Sequence, residues 1–495
     1  MLVSSFFAIP MSYLVHRTNI PGKGFIVTMI LLQVLLPVFL KTMGWIMLGS
    51  PEIGTVNQFL RSFIPVEEGP LSVYNVPAIA IIQGLSLTPM AFLMIAGAFA
   101  SINPSYEESA EISGASKLQN LRRITLPLVM PSLVGAGIYA FMVAVSLFEI
   151  AALLGAPKNI QVFSTLMYDS VQPEVGLPNY GVAGVYGVLL MVPTIFSLFY
   201  YQKMLRASHR YATVTGKGYR PKLIDLGRWK VIGFCFILLY FTLDLFLPFL
   251  AVLWTSFLPR IQLPSLAAFQ TMNLDGYRSA IVLLTQSKVL ANTVGLMLSV
   301  GFISVFISLI FSWVVLRTRL PGKYAIDTIC MIPMAIPSIA FAFSVAYVGL
   351  LFIRTIPLYG SLASIILTDT IRRIPFTTRT INGSMIQIHP ELEEAVLVAG
   401  GSNIVAIRRV VLPLIIPAIF YSFVWAALLA YREVTIALFL QTPRNMVMAT
   451  AIWQQWQGGN SAAAAAMGVI MVFAMGIVVL TLVRRFPQAF GEVRL

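Results

Sequence analysis

The chain has 495 residues, 58% of them hydrophobic and only 11% charged, with a mean hydropathy of +0.85 and a net charge of +14. A soluble domain carries about a quarter charged residues, so composition excludes a water-soluble globular fold and points to an all-α polytopic membrane protein. The basic excess would suggest nucleic acid in a soluble chain. Here it fits cytoplasmic loops placed by the positive-inside rule, and no nucleic-acid partner is expected.

Apolar runs long enough to approach or exceed a bilayer crossing fall near 1–16, 25–48, 77–100, 127–154 and 184–203. After a polar stretch come 231–256, 289–316, 325–350, 362–383, 411–437 and 464–483, about eleven spans in all. One set of alternate loops holds Arg17, Lys23, Lys117, Arg122, Arg123, Arg317, Arg319, Lys323, Arg372, Arg373, Arg379, Arg408 and Arg409, with the basic stretch 203–230 and the tail carrying Arg484, Arg485 and Arg494. The opposite set holds Arg61, Lys158, Arg260, Arg278, Lys288, Arg354 and Arg444. The richer set reads as cytoplasmic, which puts the C-terminus inside. Lys41 reads as a side chain snorkelling to the outer interface. Cys235 and Cys330 lie in apolar runs and give neither a disulfide framework nor a metal cluster. His16, His209 and His389 are scattered beside loops.

The chain repeats itself. "RTNIPGK" at 17–23 returns as "RTRLPGK" at 317–323, an offset of 300. "PSYEESAEISGAS" at 104–116 returns as "PELEEAVLVAGGS" at 390–402, and "RRITLPLVMP" at 122–131 as "RRVVLPLIIP" at 408–417, both offset by 286. Two halves in the same orientation follow: 1–203, a linker 204–230 that reads as cytoplasmic, and 231–495. Two spans precede the RTRLPGK loop in the second half and one short span precedes RTNIPGK in the first. Twelve spans are therefore expected, with the first helix missing from this chain.

Within each copy a proline (Pro104, Pro390) opens a short helix, where its missing N–H is not needed. Two glutamates follow (Glu107 and Glu108; Glu393 and Glu394), favoured by the helix dipole, then a small residue, Ser109 or Ala395. Gly114 or Gly400 breaks the helix six residues after the second glutamate. A second short stretch ends in Arg-Arg, and Leu126-Pro127 or Leu412-Pro413 begins the next span, where proline costs least.

This pattern resembles the EAA motif of binding-protein-dependent ABC transporter permeases, with Ser109 where alanine is usual. The resemblance covers nearly the whole chain and implies two fused type I importer transmembrane domains. In that family the loop is a coupling helix docked on a cytoplasmic ATPase. It implies ATPase-coupling roles for Glu107, Glu108, Ser109, Gly114, Glu393, Glu394, Ala395 and Gly400, and as partners two copies of the ATPase and a periplasmic substrate-binding protein. The linker "TGKGYRP", the "YREVT" segment at 431–435 and the fused plan are similar to permeases of iron(III), thiamine and related small-solute importers, with iron(III) the best guess. The location implied is the inner (plasma) membrane.

No enzyme chemistry is legible. "GKG" at 216–218 lacks the spacing of a phosphate-binding loop, and no zinc pattern occurs. ATP hydrolysis is thus expected in a separate subunit, and this chain is expected to bind no cofactor or metal of its own. Glu149, Arg432 and Glu433 lie late in two spans; acids there line a pathway or form an interhelical ion pair, and both readings stand. The alternative function is an ion-coupled secondary transporter built from parallel repeats. Such a carrier should keep its distinctive residues at the midplane, whereas here the repeat is strongest in the loops.

Overall fold

Proline marks two sharp bends between paired apolar helices. In the computed structural model, which describes residues 1–63, 69–103, 105–173, 176–208, 223–389 and 391–485, Lys23–Leu35 and Val38–Gly49 meet at 95° across Pro37. Lys323–Ala335 and Ser338–Leu351 meet at 102° across Pro337. A proline ring disfavours helical angles in the residue before it, so each apolar run breaks at the same point of the repeat. Gly22 and Gly322, at φ 72° and 84°, start both bent pairs; the left-handed conformation there suits glycine.

Among the described residues, seven helices are long and apolar enough to cross a membrane, or nine if each bent pair is one span. The eleven spans read from the sequence are not reached. Leu2–Arg17 has only 16 residues. Leu362–Ile386 has 25 and is capped by the Ser361 hydroxyl, but it carries Asp369, Arg372, Arg373 and Arg379. Those three arginines were assigned to a loop; they belong to this helix. The expected spans 127–154 and 411–437 each end early, at Ser146 and Tyr431, and a separate short helix follows (Glu149–Gly155, Thr435–Leu440).

The chain forms two compact units, 1–272 and 273–494. This division differs from the one drawn from the repeat, which started the second half at 231. The helix after the linker, Trp229–Phe241 continued through a π-turn into Leu247–Thr255, packs in the first unit. Asp244 lies in that π-turn, an insertion that swings a side chain out of the regular register. Its carboxylate meets Lys41 Nζ at 2.6 Å and Gln33 Nε2 at 3.1 Å, all three buried. Lys41 is therefore paired in the interior instead of snorkelling. A carboxylate and an ammonium in an apolar surrounding are costly apart and tolerable together. That fixes a helix of the second sequence repeat onto the first unit.

The same contact needs a glycine. A Cβ on Gly44 would lie 2.3 Å from the Pro248 carbonyl oxygen, so helices 38–49 and 247–255 touch backbone to backbone. Small residues permit such close approach in membranes. Gly44→Val is expected to cost about 1–3 kcal/mol, the usual range for overpacking, with Gly44→Ala in between. Thermal unfolding in detergent checks it; an unchanged midpoint for Gly44→Val would show that the close approach is dispensable.

The interior of the first unit gathers Phe7, Met11, Phe92, Phe99, Ile237 and Tyr240 from helices 2–17, 76–101 and 229–241. In the second unit, helices Val289–Arg317, 362–386 and 412–431 pack together, around Val305, Ile381, Met385 and Ile415. Hydroxyls supplement the apolar contact there: Ser308 lies 2.5 Å from Thr377 and accepts from Thr378 at 3.0 Å. Of the sequence linker, 209–222 lies outside the described residues. Its far end is placed: Ile224 N–H donates to Arg17 O (2.9 Å) and Asn19 N–H to Ile224 O (3.1 Å). The Asn19 amide, then the Gly227 N–H and Lys230, hold the neighbouring Asp225 carboxyl down to about 2.

Candidate functional site

The two repeated loops fold alike. Ser105–Ile112 and Glu391–Val398 are eight-residue helices with acids in the first turn. Pro104 and Pro390, read as the openers, lie outside the described residues. Gly114 and Gly400 follow at φ 85° and 82°. The next residue's N–H reaches back five positions, Ala115 to Ala110 O and Gly401 to Val396 O, both at 2.9 Å. This is a left-handed glycine closing a helix C-terminus by a wide hydrogen bond. A Cβ at either glycine would meet no atom within 4 Å; for alanine the constraint there is the backbone angle.

The second short helices, Lys117–Asn120 and Asn403–Ala406, run into π-turns Leu121–Thr125 and Ile407–Val411. Leu126 N–H bonds to Leu121 O, and Leu412 N–H to Ile407 O. Each wide turn sits directly before Pro127 or Pro413, whose ring would clash with the carbonyl four residues back in a regular ladder. The repeated Leu-Pro thus builds the same local unwinding at the start of both spans. Arg122, Arg123, Arg408 and Arg409 stay exposed beside it.

The paired glutamates divide their tasks. The resemblance implies ATPase-coupling roles for all four; in the structure the first of each pair turns inward. Adjacent residues on a helix do not share a face. Glu107 is buried and forms an ion pair with Arg17, which is 1% exposed. Its other oxygen accepts from Thr125 Oγ1 at 2.7 Å, and Asn120 Nδ2 donates to its main-chain oxygen at 3.3 Å. Glu393 Oε1 lies 2.7 Å from Arg317 Nε. Glu108 is half-exposed, and Glu394, Ser109 and Ala395 are exposed. The two loop motifs found separately in the sequence, RTxxPGK and the double glutamate, therefore meet in each half. Sequence reasoning counted Arg17 and Arg317 as loop charges and missed this role. Their recurrence at one place in both repeats was the available signal.

Around these loops, apolar side chains stand in the open. Ile112 is 88% exposed and Val398 89%, at equivalent positions one residue-pair before the glycines. Tyr106 and Leu392 are a second equivalent pair, also exposed.

The interior charges resolve differently from the loops. Glu433 Oε2 lies 2.9 Å from Arg373 Nη2, and the same nitrogen is 2.6 Å from Asp369 Oδ1. Glu433 Oε1 accepts the Ile436 N–H at 3.2 Å, capping the short helix 435–440. Arg372 turns the other way and donates to Ile336 O (2.7 Å) at the 102° bend. Arg432 ends helix 412–431. Glu149 opens helix 149–155. At the repeat's offset its counterpart is Thr435, not Glu433, so the two acids are not equivalent. Asp369, Arg372 and Arg373 went unread because their charges suggested a loop. No group of three or more potential metal-binding side chains occurs among the described residues.

Residues 7–211 and 316–491 match the family described as binding-protein-dependent transport system inner membrane component. The ferric transport system permease protein FbpB of Actinobacillus pleuropneumoniae is 25% identical over 495 residues, 99% of this chain and 68% of that protein. The putative ferric transport system permease protein FbpB 1 of Haemophilus influenzae is 25% identical over 450 residues, 89% of this chain and 67% of that protein. The spermidine/putrescine transport system permease protein PotB of Escherichia coli is 30% identical over 129 residues, 26% of this chain and 42% of that protein. Each segment matched to the family contains one helix–glycine–π-turn loop, so the chain belongs to the binding-protein-dependent transport family and is a multi-pass inner-membrane permease subunit of an ABC importer, whose partners in general are a substrate-binding protein and an ATPase.

Proposed function

We propose that this permease passes iron(III) from a periplasmic binding protein to the cytoplasm, with each loop docking one copy of a separate cytoplasmic ATPase. The C-terminus and both loops then lie on the cytoplasmic side, as the lysine and arginine distribution favours. ATP is bound and hydrolysed by the partner, and this chain holds no cofactor. Iron(III) is favoured because the ferric permeases of two organisms are similar over almost the whole chain, whereas the spermidine/putrescine permease is similar over a quarter of it.

The observation that carries the docking reading is the pair Ile112 and Val398, each nearly fully exposed and in the same place in both halves, with Tyr106 and Leu392 a second exposed pair on the same two helices. Isolated exposed apolar side chains are ordinary. Two at equivalent positions, beside glycines of identical geometry, fit a pair of identical grooves. Putting a carboxylate where an apolar side chain docks costs about 2 kcal/mol or more. Ile112→Asp with Val398→Asp should therefore cut the ATPase co-purified per inserted permease by about thirtyfold. Undiminished ATPase retention would refute docking here. In proteoliposomes containing the three components, ATP-dependent uptake of chelated iron(III) is expected. Uptake of spermidine or thiamine in place of iron would overturn the choice of solute, and uptake without ATPase would favour an ion-coupled carrier.

A further inference from the structure

Each half ends a helix on an arginine, and each arginine joins three elements. Arg317 closes helix 289–317. Its Nη2 donates to Met385 O and Ile388 O, both at 2.9 Å, at the end of helix 362–386. Its Nε pairs with Glu393 on the loop helix. Arg17 closes helix 2–17, donates to Ile102 O at 3.4 Å beyond the end of helix 76–101, and pairs with Glu107. A guanidinium suits this task because Nη2 makes directed hydrogen bonds to the helix end while Nε stays free to form the charge contact with Glu393, and a cation at helix C-termini is favoured by the dipole.

We propose that Arg17 and Arg317 are positioning residues for transport: each is the strut through which displacement of the loop helix becomes displacement of the helix that the arginine ends. The proposal rests on the docking reading above. The Gly114 and Gly400 turns connect each loop helix forwards to the next span through a short helix and a π-turn, an unwound path. The arginine connects it sideways to a continuous helix. Helix 289–317 in turn packs against helices 362–386 and 412–431, so a push delivered at Glu393 reaches the body of the unit. The two struts are backed unequally. Thr125 and Asn120, which hold Glu107 from the π-turn side, correspond to Val411 and Ala406, whose side chains cannot hydrogen-bond. Transmission in the second half therefore depends more heavily on its arginine.

The test uses the full permease reconstituted with its ATPase and binding protein, and reads three quantities: permease inserted, ATPase retained, and solute moved per ATP hydrolysed. Glu393→Gln keeps the shape and removes the charge. It should leave insertion and ATPase retention unchanged and lower solute moved per ATP by about tenfold, within the range spanned by coupled pairs. Glu107→Gln should lower it less, because Thr125 and Asn120 remain. Arg317→Glu should uncouple as well, and Arg317→Glu with Glu393→Arg should recover at least part of the transport per ATP, which a purely structural defect would not. Normal solute-to-ATP stoichiometry in Glu393→Gln overturns the strut, as does an inserted, ATPase-retaining double swap that transports no better than Arg317→Glu alone. Should Val398→Asp keep its ATPase, the docking reading itself fails. Should Val398→Asp lose the ATPase while Glu393→Gln stays coupled, only the strut fails.

Discussion

Arg373→Ala will leave two carboxylates inside the second unit without their shared cation, and very little folded permease is expected. Asp369 is 0% exposed, and Glu433 lies against the same guanidinium nitrogen. Arg372 donates through Nη1 to Ile336 O at the bend, so it is Arg373 that meets both acids directly. Removing one partner of a buried ion pair costs about 3–5 kcal/mol, against a total stability of about 5–15 kcal/mol for a typical domain. Arg373→Lys should fall between, since an ammonium keeps the charge but not the rigid placement of the one nitrogen that meets both acids. Glu433→Gln should be milder than Arg373→Ala: the amide oxygen can still accept from Arg373, while the Ile436 N–H loses its side-chain acceptor. Size-exclusion profiles in detergent give the readout; a monodisperse Arg373→Ala peak of normal height would show that the cluster does not support the fold. A triple variant then separates packing from pathway. Asp369→Leu, Arg373→Met and Glu433→Leu together remove every charge, and apolar replacement of a whole buried ion network is often neutral or stabilising. If the cluster only packs the unit, this variant recovers both folding and uptake. If the charges line the route of the solute, it recovers folding alone.

That cluster also marks where the sequence stopped being legible. The loops could be read because glycine, proline and paired charges are local signals, and because two copies at fixed offsets exclude coincidence. The bends at Pro37 and Pro337 and the unwinding before Pro127 and Pro413 follow from one residue's missing N–H and ring. Helix 362–386 defeats the same reasoning. Its arginines look like loop charges until Asp369 and Glu433 appear beside them, and Glu433 is 60 residues away. Arg17 and Glu107 are 90 residues apart, so neither could be matched to the other by spacing. The boundary between compact units was hidden for a related reason. Repeats report ancestry along the chain, whereas the place of helix 229–255 is decided by Asp244 finding Lys41 across the fold. Hydropathy likewise could not separate Glu149 from Glu433, since both follow apolar runs; only the helix breaks at Leu147 and Arg432 set their different registers.

Gly114→Val together with Gly400→Val is expected to abolish ATP-driven uptake while sparing insertion of the spans. Both glycines sit at positive φ, near 85° and 82°, where a β-branched residue is a severe outlier. Strain of this kind costs about 1–3 kcal/mol at each site. Nothing lies within 4 Å of the added Cβ, so the cost cannot be traced to a clash with the buried helices. It is met locally, by opening the wide hydrogen bond to Ala110 O or Val396 O and rotating the loop helix away from its place. The inward glutamate resists that rotation through its arginine, so the turn yields before the span does. Ile112 and Val398, two residues ahead of the glycines, then point in the wrong direction. Gly→Ala at either site should be gentler than Gly→Val, because it adds the same Cβ without the branch. Gly→Asn should be gentler still, since asparagine tolerates the left-handed region best after glycine. Uptake and ATPase retention per inserted permease order these variants. The ranking Asn, Ala, Val from mildest to most severe at both positions is the signature of a backbone-angle requirement. Equal loss for all three would show that the open space itself, and hence a partner pressed against the glycine, sets the limit. Coupled transport at the parental rate in the double Val variant would remove these loops from the mechanism.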